Sequence, residues 1–253
     1  NGNQTGTLLV YYLLSRRKEL GLARDTDFMV NTIVTTELIN KIAAGFGIPC
    51  YNVLTGFKNI ASIILQKEGK ETFIAGGEES FGFLVGDFVR DKDGVSACAL
   101  VAEAVAYYKT QGKNVFEILA EVYQRFGFYK EALISVTKKG KDGAEQIQNL
   151  MNQFRINPPL EMNGSAVEKI YDVKNASIHY PKTQKVEVLD LDKSNVMQFY
   201  LADGSKISAR PSGTEPKIKY YFSVNTSLSN TGDYRKIEKV LLEKLEGLKT
   251  YFS

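Results

Sequence analysis

The sequence predicts an α/β protein in two parts, an α/β/α sandwich domain over residues 1–126 followed by a smaller α+β domain with a mostly antiparallel sheet over residues 127–253. Three observations predict it. Up to Phe126, short apolar runs of strand length alternate with helix-length amphipathic segments, the rhythm of strands crossed over by helices. Past Gly127, strand-like runs follow one another with turn signals between them and few helices. With 253 residues and 43% hydrophobic content, there is material for two cores.

The elements follow in order. Thr5 to Leu20 carries Leu8, Leu9, Tyr11, Tyr12 and Leu13 and stops at Gly21, which predicts an amphipathic helix. Phe28 to Val34 reads as a buried strand, and Thr35-Thr36-Glu37 caps a helix running through Ala44. Tyr51 to Leu54 is a short strand, Thr55-Gly56-Phe57-Lys58 a turn, and Asn59 to Lys67 a helix. Thr72 to Gly76 is a strand ending in the polar loop Gly77-Glu78-Glu79-Ser80-Phe81-Gly82. Helices are expected over Val95 to Thr110 and Asn114 to Phe126. In the second part, Ala132 to Thr137 reads as a strand, Ala144 to Phe154 as a helix stopped by Asn157-Pro158-Pro159, and Lys185 to Leu189 as a strand. Val196 to Leu201 and Ser205 to Ala209 flank an Asp203-Gly204 turn, and Ile218 to Val224 is the last strand. A closing helix from Asp233 to Thr250 places Ile237, Val240, Leu241, Leu245 and Leu248 at helical spacing.

Composition excludes several functions. A net charge of +3 from 32 basic and 29 acidic residues does not point to nucleic acid or a membrane surface, so anion binding must be local. Cys50 and Cys98 form neither a CxxC motif nor a Cys/His set, and both lie among apolar residues, which predicts buried free thiols in a reducing, cytoplasmic setting. With His179 as the only histidine, His-based catalysis and His-rich metal sites have little to work with. No apolar run is long enough to span a membrane. The start at Asn1, without a methionine or a signal-peptide pattern, reads as a cut from something longer.

Two polar loops carry the chemistry. In open α/β sheets, ligands gather at loops that follow the carboxyl ends of strands, where Thr35-Thr36, Thr55 to Lys58 and Gly77 to Gly82 all fall. The carboxylate of Glu78 can accept hydrogen bonds from sugar hydroxyls, and Ser80, two residues on, would face the same ligand if the segment were extended, with Glu79 turned away. A solvated acidic turn is the plain alternative. The second loop, Ala209 to Lys217, lies between two strands: Arg210 offers a bidentate clamp for an anion, Ser212 and Thr214 bring hydroxyls, and Gly213 admits backbone amides. An ordinary polar connection is again the alternative.

In this order, Gly-Glu-Glu-Ser-x-Gly and Arg-Pro-Ser-Gly-Thr-Glu-Pro-Lys resemble the sugar-binding and phosphate-binding loops of the alpha-D-phosphohexomutases, and in particular the phosphoglucomutase and phosphopentomutase branch. Thr55-Gly56-Phe57-Lys58 and Lys92-Asp93-Gly94 resemble two further active-site loops of that family. The resemblance implies the third and fourth domains of a four-domain mutase that interconverts sugar 1-phosphate with 6- or 5-phosphate through a bisphosphate. It implies sugar binding by Glu78, Ser80, Thr55 and Gly56, and phosphate binding by Arg210, Ser212, Gly213, Thr214, Lys217 and Lys58. Lys92 matches a general acid/base, with a solvated turn lysine as its alternative; for Lys58 the alternative is a lysine at a helix start. The serine that carries the phosphoryl group and the Asp-x-Asp-x-Asp-Arg loop that holds Mg2+ have no counterpart: Asp190-Leu191-Asp192 reads as a surface turn. The implied partners are a hexose or pentose phosphate, a glucose 1,6-bisphosphate type of activator and the missing N-terminal domains. The piece alone is then expected to bind without turnover. Competing readings are a noncatalytic phosphosugar-binding module, which a start codon near Asn1 would support, and a serine hydrolase using Ser80, for which no histidine is placed.

Overall fold

The computed structural model describes residues 1–138 and 142–252 and divides into two compact units, Asn1–Phe128 with Ser227–Tyr234, and Tyr129–Thr226 with Arg235–Ser253. The first unit contains α1 (Gly2–Glu19), β1 (Asp27–Thr32), α2 (Glu37–Gly45), β2 (Cys50–Val53), α3 (Phe57–Lys67), β3 (Thr72–Glu78), β4 (Gly82–Val85), α4 (Gly94–Thr110) and α5 (Val115–Phe126). Its sheet has the order β2-β1-β3-β4, with β1, β2 and β3 parallel and β4 antiparallel.

Strand alternation divides the core between the two faces. Phe28 and Val30 of β1 point to the face covered by α3 and pack with Val53, Phe57, Ile60, Ile64, Phe73 and Leu84. Asn31, out of phase with them, points to the α2 face, where its amide donates to the Thr36 carbonyl and to Asn40. Each large apolar side chain removed from water here contributes about 1.5–3 kcal/mol. Helices therefore lie on both faces, as alternation in the sequence implies.

Several boundaries differ from the expectation, each for a local reason. Helix α1 begins at Gly2 because Asn1 and Gln4 form a capping box. Helix α3 begins at Phe57, whose ring is core, so Lys58 lies in the first turn of the helix and not in the turn before it. Strand β4 is an addition to the expected elements: Phe83 and Leu84 are buried, and the run is completed only by pairing with β3.

The thiols also part from expectation. Cys98 is exposed on α4, whose apolar residues outnumber the positions facing the core. Cys50 is half-buried, and burial and the nearby Glu37 charge push its pKa up to about 12. At pH 7.5 a maleimide is therefore expected to label Cys98 and spare Cys50 in the native protein, with both labelled after unfolding. Peptide mapping that finds equal native labelling would contradict this.

The second unit contains most of β5 (Phe128–Thr137), α6 (Gly143–Ile156), β6 (Glu161–Met162), β7 (Ser165–Asp172), β8 (Ser177–Tyr180), β9 (Lys185–Val188), β10 (Met197–Leu201), β11 (Lys206–Pro211), β12 (Lys217–Thr226) and α7 (Tyr234–Tyr251) without its first residue. The sheet order is β5-β12-β11-β10-β7-β8-β9, with β6 paired to β7. From β12 to β9 every adjacent pair is antiparallel. Helix α7 buries Leu241, Leu245 and Leu248, while Val240, which the spacing placed with them, is exposed at the margin of the stripe.

Candidate functional site

Because β1, β2 and β3 run parallel, the loops that follow them emerge at one edge of the first sheet. Side chains tie these loops together. Thr36 caps α2 by accepting from the Leu38 amide, and its own amide donates to Asn3 Oδ1. The Thr35 hydroxyl contacts that of Thr32 at 2.7 Å and donates to Glu79 Oε2 at 3.1 Å. The Gly56 amide donates to Glu78 Oε1 at 2.7 Å. Gly56 has φ 109°, a conformation a Cβ would strain, so glycine is what permits the amide to turn toward Glu78. Glu78 and Glu79 thus reach different loops, the one after β2 and the one after β1.

Ser80 does not continue that alternation. Glu78 pairs with Gly82, which leaves Glu79, Ser80 and Phe81 to reverse the chain, and Ser80 lies exposed in the turn. The extended segment expected to align Ser80 with Glu78 is therefore a hairpin loop.

Lys92 comes back to the same edge after β4. The Asp93 amide donates to the Phe83 carbonyl at 2.9 Å, and Asp93 caps α4 through the amides of Val95 and Ser96. The Ser96 contacts hold the Asp93 carboxyl below the usual range, with the Val95 amide adding to the effect. Lys92 Nζ lies 3.1 Å from Asp91 Oδ1 and 5.5 Å from the centre of the Phe57 ring. A Cβ on Gly82 would meet Phe57 at 3.2 Å and both Glu78 Oε2 and Lys92 Cδ at 3.5 Å, so these groups converge on the space the glycine leaves. Thr55, Gly56, Glu78 and Lys92 are thereby brought together, with the exposed Lys58 one residue into α3.

In the second unit, Ser212 to Lys217 closes the β11–β12 hairpin. The Ser212 amide donates to the Lys217 carbonyl at 2.8 Å, the Lys217 amide to the Glu215 carbonyl at 2.7 Å, and Ser212 Oγ accepts from the Thr214 amide at 3.4 Å. A Cβ on Gly213 would meet nothing within 4 Å, and its φ is not positive, so neither packing nor backbone conformation requires glycine there. Arg210 stands directly opposite Lys219, and Lys217, two residues from Lys219, shares that face. Like charges opposite one another cost stability in a sheet. Lys217 is paired with Glu215 at 3.0 Å, and among the described residues no carboxylate pairs with Arg210. The result is a cationic face able to take an anion.

Sequence reasoning under-weighted two features. Lys219 is nearer to Arg210 than its place beyond the loop implies, since register decides cross-strand neighbours. The Thr35–Glu79 bond joins residues 44 apart in the chain, which no local pattern signals. His179 is exposed and contacts Ser177 Oγ at 2.8 Å, with no carboxylate to complete a triad among the described residues. Among the described residues no three His, Cys, Asp or Glu side chains gather as a group that could hold a metal ion. No helix is long and apolar enough to cross a membrane among the described residues.

Comparison with known proteins matches residues 1–126 to the family of the phosphoglucomutase/phosphomannomutase α/β/α domain III. A phosphoglucomutase of Staphylococcus aureus (strain MRSA252) is 37% identical over 224 residues, covering 88% of this chain and 40% of that protein. The phosphoglucomutase of Staphylococcus aureus (strain N315) gives the same figures. The chain thus spans about 40% of the length of the curated relatives it matches. Among solved structures, the open form of the Paramecium phosphoglucomutase parafusin covers 98% of this chain and 41% of its own at 20% identity and a TM-score of 0.57. A putative phosphomannomutase from Thermus thermophilus covers 92% and 40% at 17% identity and a TM-score of 0.52. The two structural likenesses show the fold.

Proposed function

The chain belongs to the alpha-D-phosphohexomutase family and is homologous to the C-terminal part of phosphoglucomutases; from that premise we propose that it supplies the sugar-holding and phosphate-holding loops of a phosphosugar mutase. The observation that carries this reading is the convergence of Gly56, Glu78 and Lys92 at one sheet edge, in the unit preceding a hairpin with the unneutralised Arg210. Glu78, Ser80, Thr55 and Gly56 hold the sugar, with the Gly56 amide setting the position of the Glu78 carboxylate. Arg210, Ser212, Thr214 and the Gly213 backbone hold the phosphate that is not being transferred, with Lys217 and Lys219 adding charge.

In the whole enzyme, a phosphoryl group passes from a phosphoserine on a preceding domain to a hydroxyl of the bound sugar phosphate. The bisphosphate reorients and its other phosphate returns to the serine. Both transfers demand close in-line placement, which is what a fixed phosphate and gripped hydroxyls provide. Lys92 acts as the acid, giving a proton to the oxygen that leaves phosphorus. Lys58 meets the transferring group or the metal-bearing domain. A divalent cation, which would offset the developing charge, is held by ligands outside this chain. The setting is cytoplasmic.

Titration calorimetry with glucose 1-phosphate and glucose 1,6-bisphosphate tests the reading. Saturable binding of both, without mutase turnover by the chain alone, is the expected result. Absence of binding by the folded chain, or robust turnover by a verified pure sample, would count against it.

A further inference from the structure

The turn between β3 and β4 carries a residue that its geometry does not favour. With Glu78 paired to Gly82, the loop has three residues, and Phe81 at its third position adopts φ 65°. Such a position is left-handed in three-residue hairpins and is usually glycine, because a Cβ there crowds the backbone. Burial does not compensate: Phe81 is 75% exposed. Strain that the fold gains nothing from gathers at ligand clamps.

The position of the ring says what kind of ligand. Phe81 lines a cavity of about 220 Å³ between its own hairpin, with Glu78, Gly82 and Phe83, and helices α1 and α4, with Leu9 and Val101. Most of that lining is apolar, and Glu78 is its carboxylate. An aldose ring suits this pairing, for it has hydroxyls at its edge and C–H groups on its face. A carboxylate can take the first and an aromatic ring the second. Inorganic phosphate has no use for the ring.

We propose that Phe81 determines sugar specificity in this loop, its ring carrying the C–H face of the hexose or pentose while Glu78 holds the hydroxyls. The proposal rests on the sugar-phosphate reading above. It accounts for an exposed aromatic at a strained position: the ring is placed for a ligand, not for the core.

The test compares wild type, Phe81→Gly, Phe81→Tyr and Arg210→Ala by calorimetry with glucose 1-phosphate and with inorganic phosphate, and by thermal melting. Phe81→Gly is expected to keep or raise Tm, to bind glucose 1-phosphate about tenfold more weakly and to bind inorganic phosphate unchanged, while Phe81→Tyr stays close to wild type. If Phe81→Gly binds the sugar phosphate as wild type does while Arg210→Ala loses it, the inference fails and the functional reading stands. A folded wild type that binds no glucose 1-phosphate overturns both. A clear drop in Tm for Phe81→Gly makes the ring a structural support and overturns the inference alone.

Discussion

Arg210→Ala is expected to weaken glucose 1-phosphate binding about a hundredfold, since two charge-assisted hydrogen bonds to phosphate together are worth about 3 kcal/mol. Arg210→Lys keeps the charge but loses the planar fork and should recover only part of the affinity. Stability should move the other way. Arg210 stands opposite Lys219 with Lys217 on the same face, so removing one cation relieves repulsion and Tm holds or rises slightly. Calorimetry and melting on the same samples separate the two effects. An unchanged Kd would remove Arg210 from the site, and a fall in Tm would mean that the guanidinium supports the hairpin.

The largest expected effect on stability lies elsewhere in the same unit. Asp172 is 4% exposed and accepts from Arg155 Nε at 3.2 Å and from Asn175 Nδ2 at 2.6 Å. Arg155 also donates to the Met151 carbonyl and to Asn195, so one guanidinium holds α6, the end of β7 and the approach to β10. Asp172→Ala leaves that largely covered cation without its carboxylate, at a cost of about 3–5 kcal/mol, which lowers Tm by roughly 10 °C in a protein of this size. The double change Asp172→Ala with Arg155→Leu should recover much of the loss, because it removes the stranded charge as well as its partner. The exposed Asp190 serves as control, its alanine variant melting as wild type does. A Tm shift at Asp172 no larger than that control would show the ion pair to be unimportant.

Local pattern made much of this protein legible. The capping threonine Thr36, the Asp203-Gly204 turn and the Leu241, Leu245 and Leu248 stripe are all written in short spacings, and the structure has each in place. The loops at Thr35, Gly56 and Glu78 could be assigned to one sheet edge because parallel strands leave no other arrangement. What was not legible depended on partners far away in the chain. Strand β4 exists because β3 is beside it, Cys98 is exposed because α4 turns it outward, and Ser80 leaves the line of Glu78 because the hairpin closes at Gly82.

The amino-acid sequence by itself therefore determined most of the succession of elements, the two-part architecture and the residue types of the two polar loops, since propensity, periodicity and motif spacing are local properties of the chain. Tertiary structure alone decided that Glu78 is held by the Gly56 amide, that Glu79 is tied to Thr35, that Lys219 stands against Arg210, and that Phe81 is strained and exposed. These are facts of register, loop closure and burial. They are set by which segments pack together, and no short window along the chain shows which residues will meet.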